Sequence, residues 1–433
     1  MSSAAPLHSA PGAPQRPPIA AIVQQHAEES AMLRHVRSVL VRAPHVGLRQ
    51  LRRLDDRLAA HLDGLMVAGP FGAECAAAGL ARAGAGEVFA AAACAIEAQD
   101  EPTLDRLLAL SAAMPDAARG LLSAFGWVSA PLLQGTVRRL LASPQPHWRA
   151  LGLGACRLHR VDPGPVLATA LADPAPPLRA EALRTAAALG RVDLLGPVLA
   201  SLGDEDAAVA RQAAHAACLL GDRTVALRWL ESAALSEAHE DADSMLLLVL
   251  ASRWERAAEL VRTVAQRTSE PQRIVIRACG WLGDTRLVPW LIELMAIDRF
   301  ARLAGEAFSM ITGADLAALG LERPRPHGLQ TGPSDNPEDD DVALDQDDDL
   351  PWPNAERVAQ WWVTRSAQWP SGTRSFMGVV PGVRHCEQVL RDETQRQRAV
   401  AAWQRSLLQP GTLLFPIAAP AWRQQRLLAA GVV

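Results

Sequence analysis

Carboxylates form the densest chemical feature of this sequence. Residues 335–349 include nine Asp and Glu and no basic residue, with two runs of three, Asp339-Asp340-Asp341 and Asp347-Asp348-Asp349. An EF-hand calcium loop would need Gly at its sixth position and Glu at its twelfth. The Gly is absent whether counting starts at Asp339 or at Asp345, and the Glu is absent from the first of these registers. A solvated charge run, a dock onto Arg-bearing helices of the same chain and a cation site all stay open. The lack of core-forming residues favours the first.

Other residue types give no catalytic or metal-binding pattern. The 11 His are scattered, no CxxC pair occurs, and Cys386 beside His385 has no second ligand at the required spacing. The chain contains no HExxH, no strand-to-helix GxGxxG, no P-loop and no GxSxG motif. We therefore predict a protein that is not an enzyme, with no catalytic residue, cofactor or metal.

Composition narrows the class of protein. All 43 basic residues are Arg, and outside 335–349 they outnumber the acids, but the excess is too small to indicate nucleic-acid binding. The six Cys do not form a disulfide pattern, and we expect reduced thiols packed as small hydrophobic groups. No apolar run is long enough to cross a bilayer and no signal peptide is recognised, so we expect a cytoplasmic protein with no membrane partner.

Tryptophan is concentrated near the C-terminus. Trp352, Trp361 and Trp362 follow the acidic segment, and Asn354 is placed to cap the helix that carries the last two. Trp often anchors protein interfaces, but at helical spacing it more often belongs to the core. We consider these three, together with the six Asp of the two acidic runs, as candidate partner-binding residues.

A helical unit that repeats along the chain is predicted to position the candidate residues named above. Small or apolar residues return at intervals of about 31 residues, at Ala93, Ala124, Ala155, Ala186, Ala217, Leu248 and Cys279. This length fits a pair of helices, and stacked pairs build an α-solenoid. Short side chains in one column allow neighbouring helices to approach closely. Several Leu-Gly pairs end the first helices, where Gly suits a left-handed C-cap.

The repeat predicts an all-α fold with five regions. Residues 1–18 are a disordered arm by composition, and 19–70 form an N-terminal helical hairpin cap. The HEAT-like solenoid covers 71–321, a Pro-rich and acidic linker or insertion covers 322–349, and a Trp-rich helical region covers 350–433.

A charged pattern accompanies the modules. The second helix ends in Leu-x-Asp at Asp173 and Asp204, and the next first helix carries Arg179 or Arg211. Because Arg and carboxylate form strong paired hydrogen bonds, we predict a ladder in which each Asp accepts from the Arg of the next module. A structural role is favoured over a binding role.

Asp173-Pro174, Leu178-Arg179 and Ala188-Leu189-Gly190 resemble the HEAT repeat, in the short form found in phycocyanobilin lyases. Over residues 19–430 the chain also resembles a bacterial family of conserved hypothetical proteins. The residues that carry this resemblance are 41–45, 54–65, 86–91, 118–127, 302–308 and 349–353. Members of that family are often encoded beside type VI secretion genes, near spike proteins and toxins.

The resemblance implies a non-enzymatic scaffold that binds a secreted toxin or spike protein, as an immunity protein or an adaptor. In a sharper form of this hypothesis, the acidic segment covers a basic surface of the partner. The alternative is a HEAT-like nucleic-acid-binding protein, or a glycosylase-like or lyase-like enzyme. That alternative needs an Arg-lined groove in which aromatic and carboxylate residues converge, and the sequence shows no such set.

Overall fold

The prediction of an all-α fold is confirmed. The computed structural model describes residues 17–236, 241–267, 272–329, 331–332, 336, 345–370 and 372–431. Within these ranges the structure has 22 α-helices, a few short 3-10 turns and no β-strand. The predicted N-terminal arm and the run Asp339-Asp340-Asp341 lie outside the described residues, except for the last two residues of the arm.

Residues 17–34 and 57–124 form one compact unit. Six helices contribute to it wholly or in part: α1 (Ala20–Leu40), α2 (Leu48–Val67), α3 (Pro70–Ala78), α4 (Ala85–Glu97), α5 (Glu101–Ala113) and α6 (Pro115–Trp127). Helix α4 is its centre, because every residue from Val88 to Ile96 is buried. A methyl group at Gly120 of α6 would lie 2.5 Å from the Ala85 carbonyl oxygen, so a glycine here allows α6 to approach α4.

Residues 35–56 and 125–431 form the second unit. After the ends of α1, α2 and α6, its helices are α7 (Gln134–Leu141), α8 (Pro146–His159), α9 (Pro165–Ala170), α10 (Pro176–Ala188), α11 (Leu195–Ala200), α12 (Ala207–Leu219), α13 (Val225–Ala234), α14 (Ala242–Ala251), α15 (Trp254–Ala265), α16 (Arg273–Leu282), α17 (Val288–Met295), α18 (Asp298–Thr312), α19 (Ala355–Arg365), α20 (Val383–Asp392), α21 (Gln395–Leu408) and α22 (Ala421–Ala429).

Alternate helices pack on one another in chain order. Helix α8 contacts α10, α10 contacts α12, and the series continues through α14, α16 and α18, while α9, α11, α13, α15 and α17 each pair with a neighbour in that series. The column of small residues lies inside these contacts, where Ala155, Ala186, Ala217 and Cys279 are all at most 2% exposed. The 31-residue period therefore corresponds to one step along the series.

The C-terminal region lies along the ends of these helices. Residues 374–378 and 407–414, which we call the clasp, form hydrogen bonds with the last turns of the series or with residues just beyond them. In most of these the clasp donates to a carbonyl oxygen, whereas the Leu407 carbonyl oxygen accepts from Arg223. Ser375 N donates to Gly283 O (2.9 Å) and Met377 N to Met310 O (2.7 Å), while Leu414 N donates to Ala188 O (2.9 Å). The clasp thus pairs helix-end carbonyls that otherwise lack partners.

The Leu-Gly pairs have a second role in this contact. Gly190 and Gly283 have φ values of 64° and 68°, as a left-handed cap requires. A methyl group at Gly190 would lie 2.5 Å from the Gly411 carbonyl oxygen, and one at Gly283 would overlap the carbonyl oxygen of Ser375. Glycine at these positions therefore both ends the helix and admits the clasp backbone.

The compact units differ from the regions expected from the sequence. Residues 71–124 cluster with most of the N-terminal hairpin instead of with the remaining repeats, and the described residues of 322–433 belong to the second unit. The clasp explains the second difference, because its hydrogen bonds join the C-terminal region to the helical series along several helices.

The Arg–Asp ladder is present with a different pairing. Asp173 accepts from Arg149, and Arg179 binds Asp204 through two bonds of 2.8 Å. Arg211 approaches Asp241 at 3.6 Å. Each carboxylate therefore pairs with the Arg of its own module, and the predicted side-chain pairing with the next Arg was wrong. The reason is geometric: each Asp lies in the loop that opens the next first helix, and the preceding first helix packs beside that loop. Arg179 does reach the preceding Asp173, but at its backbone carbonyl oxygen (2.8 Å).

Candidate functional site: a charged cleft in the second unit

A cleft of about 1180 Å³ opens in the second unit. Helices α14, α16, α18 and α21 contribute to its lining. Residues 38–45 and the turn 345–349 border it. Gaps in the helical packing are usually far smaller, so a cleft of this size is the strongest candidate for a binding site in the described part of the chain.

Arg396 of α21 connects that helix to α18 and to the turn 345–349 within the cleft. Its guanidinium donates to Glu306 of α18 at 2.8 Å and also to the carbonyl oxygen of Gln346. The Glu306 side chain is only 11% exposed. Burial raises the pKa of Glu306, and the neighbouring Arg396 and Arg277 guanidinium groups oppose that shift. This pair is therefore matched within the chain and rigidifies the floor.

Arg277 and Asp243 are two of the charged residues of the cleft that form no ion pair with the described residues. Arg277 of α16 stacks on Trp281, 5.1 Å from its ring, and makes no hydrogen bond or ion pair with a described residue. Asp243 of α14 likewise has no hydrogen bond to its carboxylate from the described residues. Burial lowers the pKa of Arg277 and raises the pKa of Asp243, so in each case the protein environment disfavours the charged form. A ligand of opposite charge would relieve both.

Asp243 faces several other charged groups. After burial, the neighbouring Asp241 carboxylate also raises its pKa, whereas Arg42, Arg277 and Arg211 lower it. The residue remains exposed to solvent, although protein surrounds it on several sides. Its carboxylate is therefore accessible from the water of the cleft.

The second acidic run forms one rim of the cleft. Asp347 is only 3% exposed and binds Arg273 at 2.7 Å, so it is not available to a partner. Asp348 and Asp349 are exposed at the cleft, and Asp349 lies 3.4 Å from His45. Within the described residues 345–349, Asp345 and Asp347 dock on Arg-bearing helices instead of being solvated, whereas Asp348 and Asp349 are exposed, as expected for a solvated run.

The dock repeats the geometry of the ladder. Arg302 binds Asp345 at 2.6 Å, and Asp345 accepts the backbone N–H of Asp347. Asp173 and Asp204 accept the N–H two residues further on in the same way. The sequence pattern did not identify this pairing because 43 residues separate Arg302 from Asp345, against 25 between Arg179 and Asp204.

The three candidate Trp residues lie away from the cleft lining. Trp352 is 9% exposed, with the Arg302 and Arg323 guanidinium groups over its ring at 4.6 and 5.6 Å. Trp361 and Trp362 are half-buried against the fully buried Phe308. These contacts give all three a packing role, which is the interpretation that helical spacing favours.

A Ser, a His and an Asp meet beside the cleft without forming a nucleophile. Ser244 Oγ donates to Asp241 at 2.8 Å and lies 2.7 Å from His215 Nε2. Because the Ser hydroxyl proton points to Asp241, His215 must donate to Ser244 and cannot accept its proton. A catalytic triad needs the His between the other two residues, so this arrangement is structural.

No group of three or more His, Cys, Asp or Glu within the described ranges is arranged to hold a metal ion. None of the helices that the structure describes has both the length and the apolar character for crossing a membrane. The sequence analysis missed Arg277, Asp243, Glu306 and Arg396 because they come from four helices. The one signal in the sequence that could have identified such a residue was a charged side chain on an otherwise apolar helix face.

Comparisons of the chain with protein-family models, with curated proteins and with solved structures find no match. The function must therefore be argued from the cleft and from the residues that resemble known repeats.

Proposed function

We propose that this chain is a non-enzymatic scaffold of HEAT-like helix pairs, stacked as an α-solenoid, that holds a segment of a protein partner in the charged cleft. The observation that carries the proposal is the cleft itself. Its volume of about 1180 Å³ exceeds the 300–1,000 Å³ typical of small-molecule sites, and it presents charged groups that form no ion pair with the described residues. The ordered packing of α8 to α18 supports the solenoid.

The resemblance described above suggests the partner. A protein encoded beside type VI secretion genes would meet a toxin or spike component in the cytoplasm, as an immunity protein or an adaptor. The exposed Asp348 and Asp349 at the rim support contact with a basic surface of such a partner.

Affinity capture tests the proposal. The full-length chain is used to capture binders from the source bacterium, and each binder is then purified and titrated. We expect one binder, a secreted toxin or spike component, whose affinity falls at least tenfold with Arg277→Glu. The matched control is Arg253→Glu, because the Arg253 side chain is 90% exposed and lies outside the cleft. Equal loss in both variants, or no loss in either, contradicts the proposal.

The rim is tested separately. The double change Asp348→Ser with Asp349→Ser should weaken binding at low salt and flatten its salt dependence. Asp347 is left intact because its ion pair with Arg273 is structural. Unchanged affinity at low salt would reject the contact with a basic partner surface.

A second candidate function rests on a specific observation. The cleft brings together Arg42, Arg277 and Arg396, the carboxylates Asp243 and Glu306, and Trp281 and Trp403. This is the convergent set that a HEAT-like nucleic-acid-binding protein or glycosylase-like enzyme would need. A gel-shift experiment with single- and double-stranded DNA at moderate salt distinguishes the two functions. Only the nucleic-acid-binding function predicts that the chain forms a complex with DNA and that Arg277→Glu abolishes this complex.

A further inference from the structure

Two histidines of the first unit meet across the hairpin of α1 and α2. His26 Nδ1 lies 3.1 Å from His61 Nδ1. In a neutral pair one Nδ1–H donates to the other nitrogen, so the contact is a hydrogen bond. The separation also suits a shared metal ion, because zinc–nitrogen bonds of about 2.0–2.1 Å at a tetrahedral angle place two ligand nitrogens about 3.3 Å apart. A small tilt of the two rings turns both lone pairs toward one ion between them.

A glycine shapes the seat of the His26 ring. A methyl group at Gly64 of α2 would lie 2.5 Å from both Cδ2 and Nε2 of His26. Glycine therefore lets this ring lie against the α2 backbone, within reach of His61. Both rings are half-buried, so packing restrains them while solvent still reaches them. Ligands that are restrained in advance lose little entropy when they bind an ion.

The surroundings keep His61 in the form that binds metal. Burial lowers its pKa, as do His26 and Arg57, whereas Glu29 raises it. Since the ordinary pKa of His is about 6.5, the ring is neutral at pH 7, and neutral imidazole is the metal ligand. Glu29 follows His26 by three residues on α1 and so lies on the same side of that helix. Its carboxylate attracts a cation at this position, against the repulsion of Arg57.

We propose that His26 and His61 form a binding site for a divalent transition-metal ion that prefers nitrogen ligands, such as Zn²⁺. Each ring binds the ion through Nδ1, and the ring that carries its hydrogen on Nδ1 transfers it to Nε2 through solvent. No third His, Cys, Asp or Glu among the described residues is arranged with them, so water completes the coordination. The ion links α1 to α2. The expectation of no metal rested on spacing along the chain, and 35 residues separate the two ligands.

Zinc titration of the intact chain tests the site. The chain is first stripped with EDTA and carries Cys75→Ser, because the partly exposed Cys75 thiol would also take zinc. Competition with a chromophoric chelator then measures the affinity. We expect His26→Gln or His61→Gln to weaken Zn²⁺ binding at least about tenfold, because even the loss of a group that only supports a ligand costs about 10- to 100-fold. The matched control is His35→Gln, which alters an exposed His of α1 and should change nothing.

A glycine variant tests the position of the ligands without removing either one. Gly64→Ala keeps both rings and displaces His26 from its seat, so we expect Zn²⁺ binding to weaken by about tenfold. Gly196→Ala is the control, because open space surrounds Gly196. Since the ion links α1 to α2, Zn²⁺ should also raise the unfolding temperature of the parent chain but not that of His26→Gln.

Three results would overturn the proposal. The first is the absence of saturable Zn²⁺ binding. The second is equal affinity in the parent chain and in both Gln variants, which would place the ion elsewhere. The third is equal binding of Mg²⁺, which prefers oxygen ligands. None of these results bears on partner capture by the cleft, so the proposed function is tested independently.

Discussion

His215 shows how the fold suppresses the charge of a single residue. It lies among Ser244, Asp241, Arg211 and Trp403. Burial lowers its pKa to about 4, against the opposing effect of Asp241. Below pH 6.5 the unfolded chain gains a proton at this site that the folded chain does not. Stability is therefore lost as the pH falls from 6.5 to 4, by about 3 kcal/mol, and no loss occurs above 6.5.

We accordingly predict that His215→Gln lessens the acid sensitivity of the protein. Urea unfolding of the variant should show a smaller fall in free energy between pH 6.5 and 4 than unfolding of the wild type. The exposed His35 is the control, and His35→Gln should leave the slope unchanged. A wild-type slope in His215→Gln would contradict this assignment.

The cysteines give a second prediction at the residue scale. Burial raises the pKa of Cys94, Cys218, Cys279 and Cys386 to about 12 and that of Cys156 to about 11, while Cys75 is partly exposed. Since the thiolate is the reactive form, we expect a thiol reagent to label Cys75 in the native chain and the other five only after unfolding. Labelling of two or more thiols in the native chain would contradict this packing.

Some residues of the fold could be predicted from the sequence and others could not. The small-residue column could be predicted because its period is regular and because its cause, the close packing of neighbouring helices, is local. Arg277 and Asp243 follow no period, and their importance comes from what they fail to contact. That property depends on how four helices and a distant loop converge, which no spacing within one helix encodes.

Among the elements, the clasp has the clearest energetic consequence. We predict that Gly283→Ala destabilises the chain by about 2 kcal/mol or more, because the residue needs a positive φ and the added methyl group overlaps the Ser375 carbonyl. Gly196→Ala is the control: Gly196 lies in α11 with open space around it, so the change should be neutral or stabilising by up to about 1 kcal/mol. Thermal or urea unfolding measures both, and equal effects would argue against the close approach.

The ladder shows which part of an element can be predicted. The residue types Arg and Asp and their structural role followed from the sequence. Their pairing did not, because it depends on which first helix stands beside each loop. The pairing of Asp345 could not be predicted for the same reason. Its partner, Arg302, lies on α18, and the sequence between the two residues does not follow the repeat.

At the scale of the second unit, Arg374 links the C-terminal region to the series. Its guanidinium donates to the carbonyl oxygens of Val249 and Leu250 at the end of α14, where no Leu-Gly cap occurs. Burial lowers its pKa to about 10. We predict that Arg374→Gln accelerates amide hydrogen exchange both in the last turn of α14 and at residues 375–378, by about tenfold. Arg253→Gln should leave both segments unchanged, and acceleration in only one of them would contradict the link.

For the molecule as a whole, helix content and the step between modules were predictable because helical periodicity and the regular small-residue column are local signals in the sequence. The compact units and the placement of the C-terminal region were not. They depend on hydrogen bonds between residues as far as 382 positions apart, as for Arg37 with the Ala419 carbonyl oxygen. Leu414 N also donates to Ala188 O, and the sequence around Leu414 carries no mark of that contact.

The clasp also fixes how many modules this chain can carry. In arrays of identical units, copies are readily gained or lost because each unit touches only its neighbours. Here residues 374–378 form hydrogen bonds at the ends of α14, α16 and α18, and residues 407–414 form them at or just after the ends of α10 and α12. Duplicating or deleting a module between α10 and α18 would move those helix ends, and a C-terminal region of unchanged length could then no longer contact all of them. Change in repeat number is therefore expected only outside that stretch.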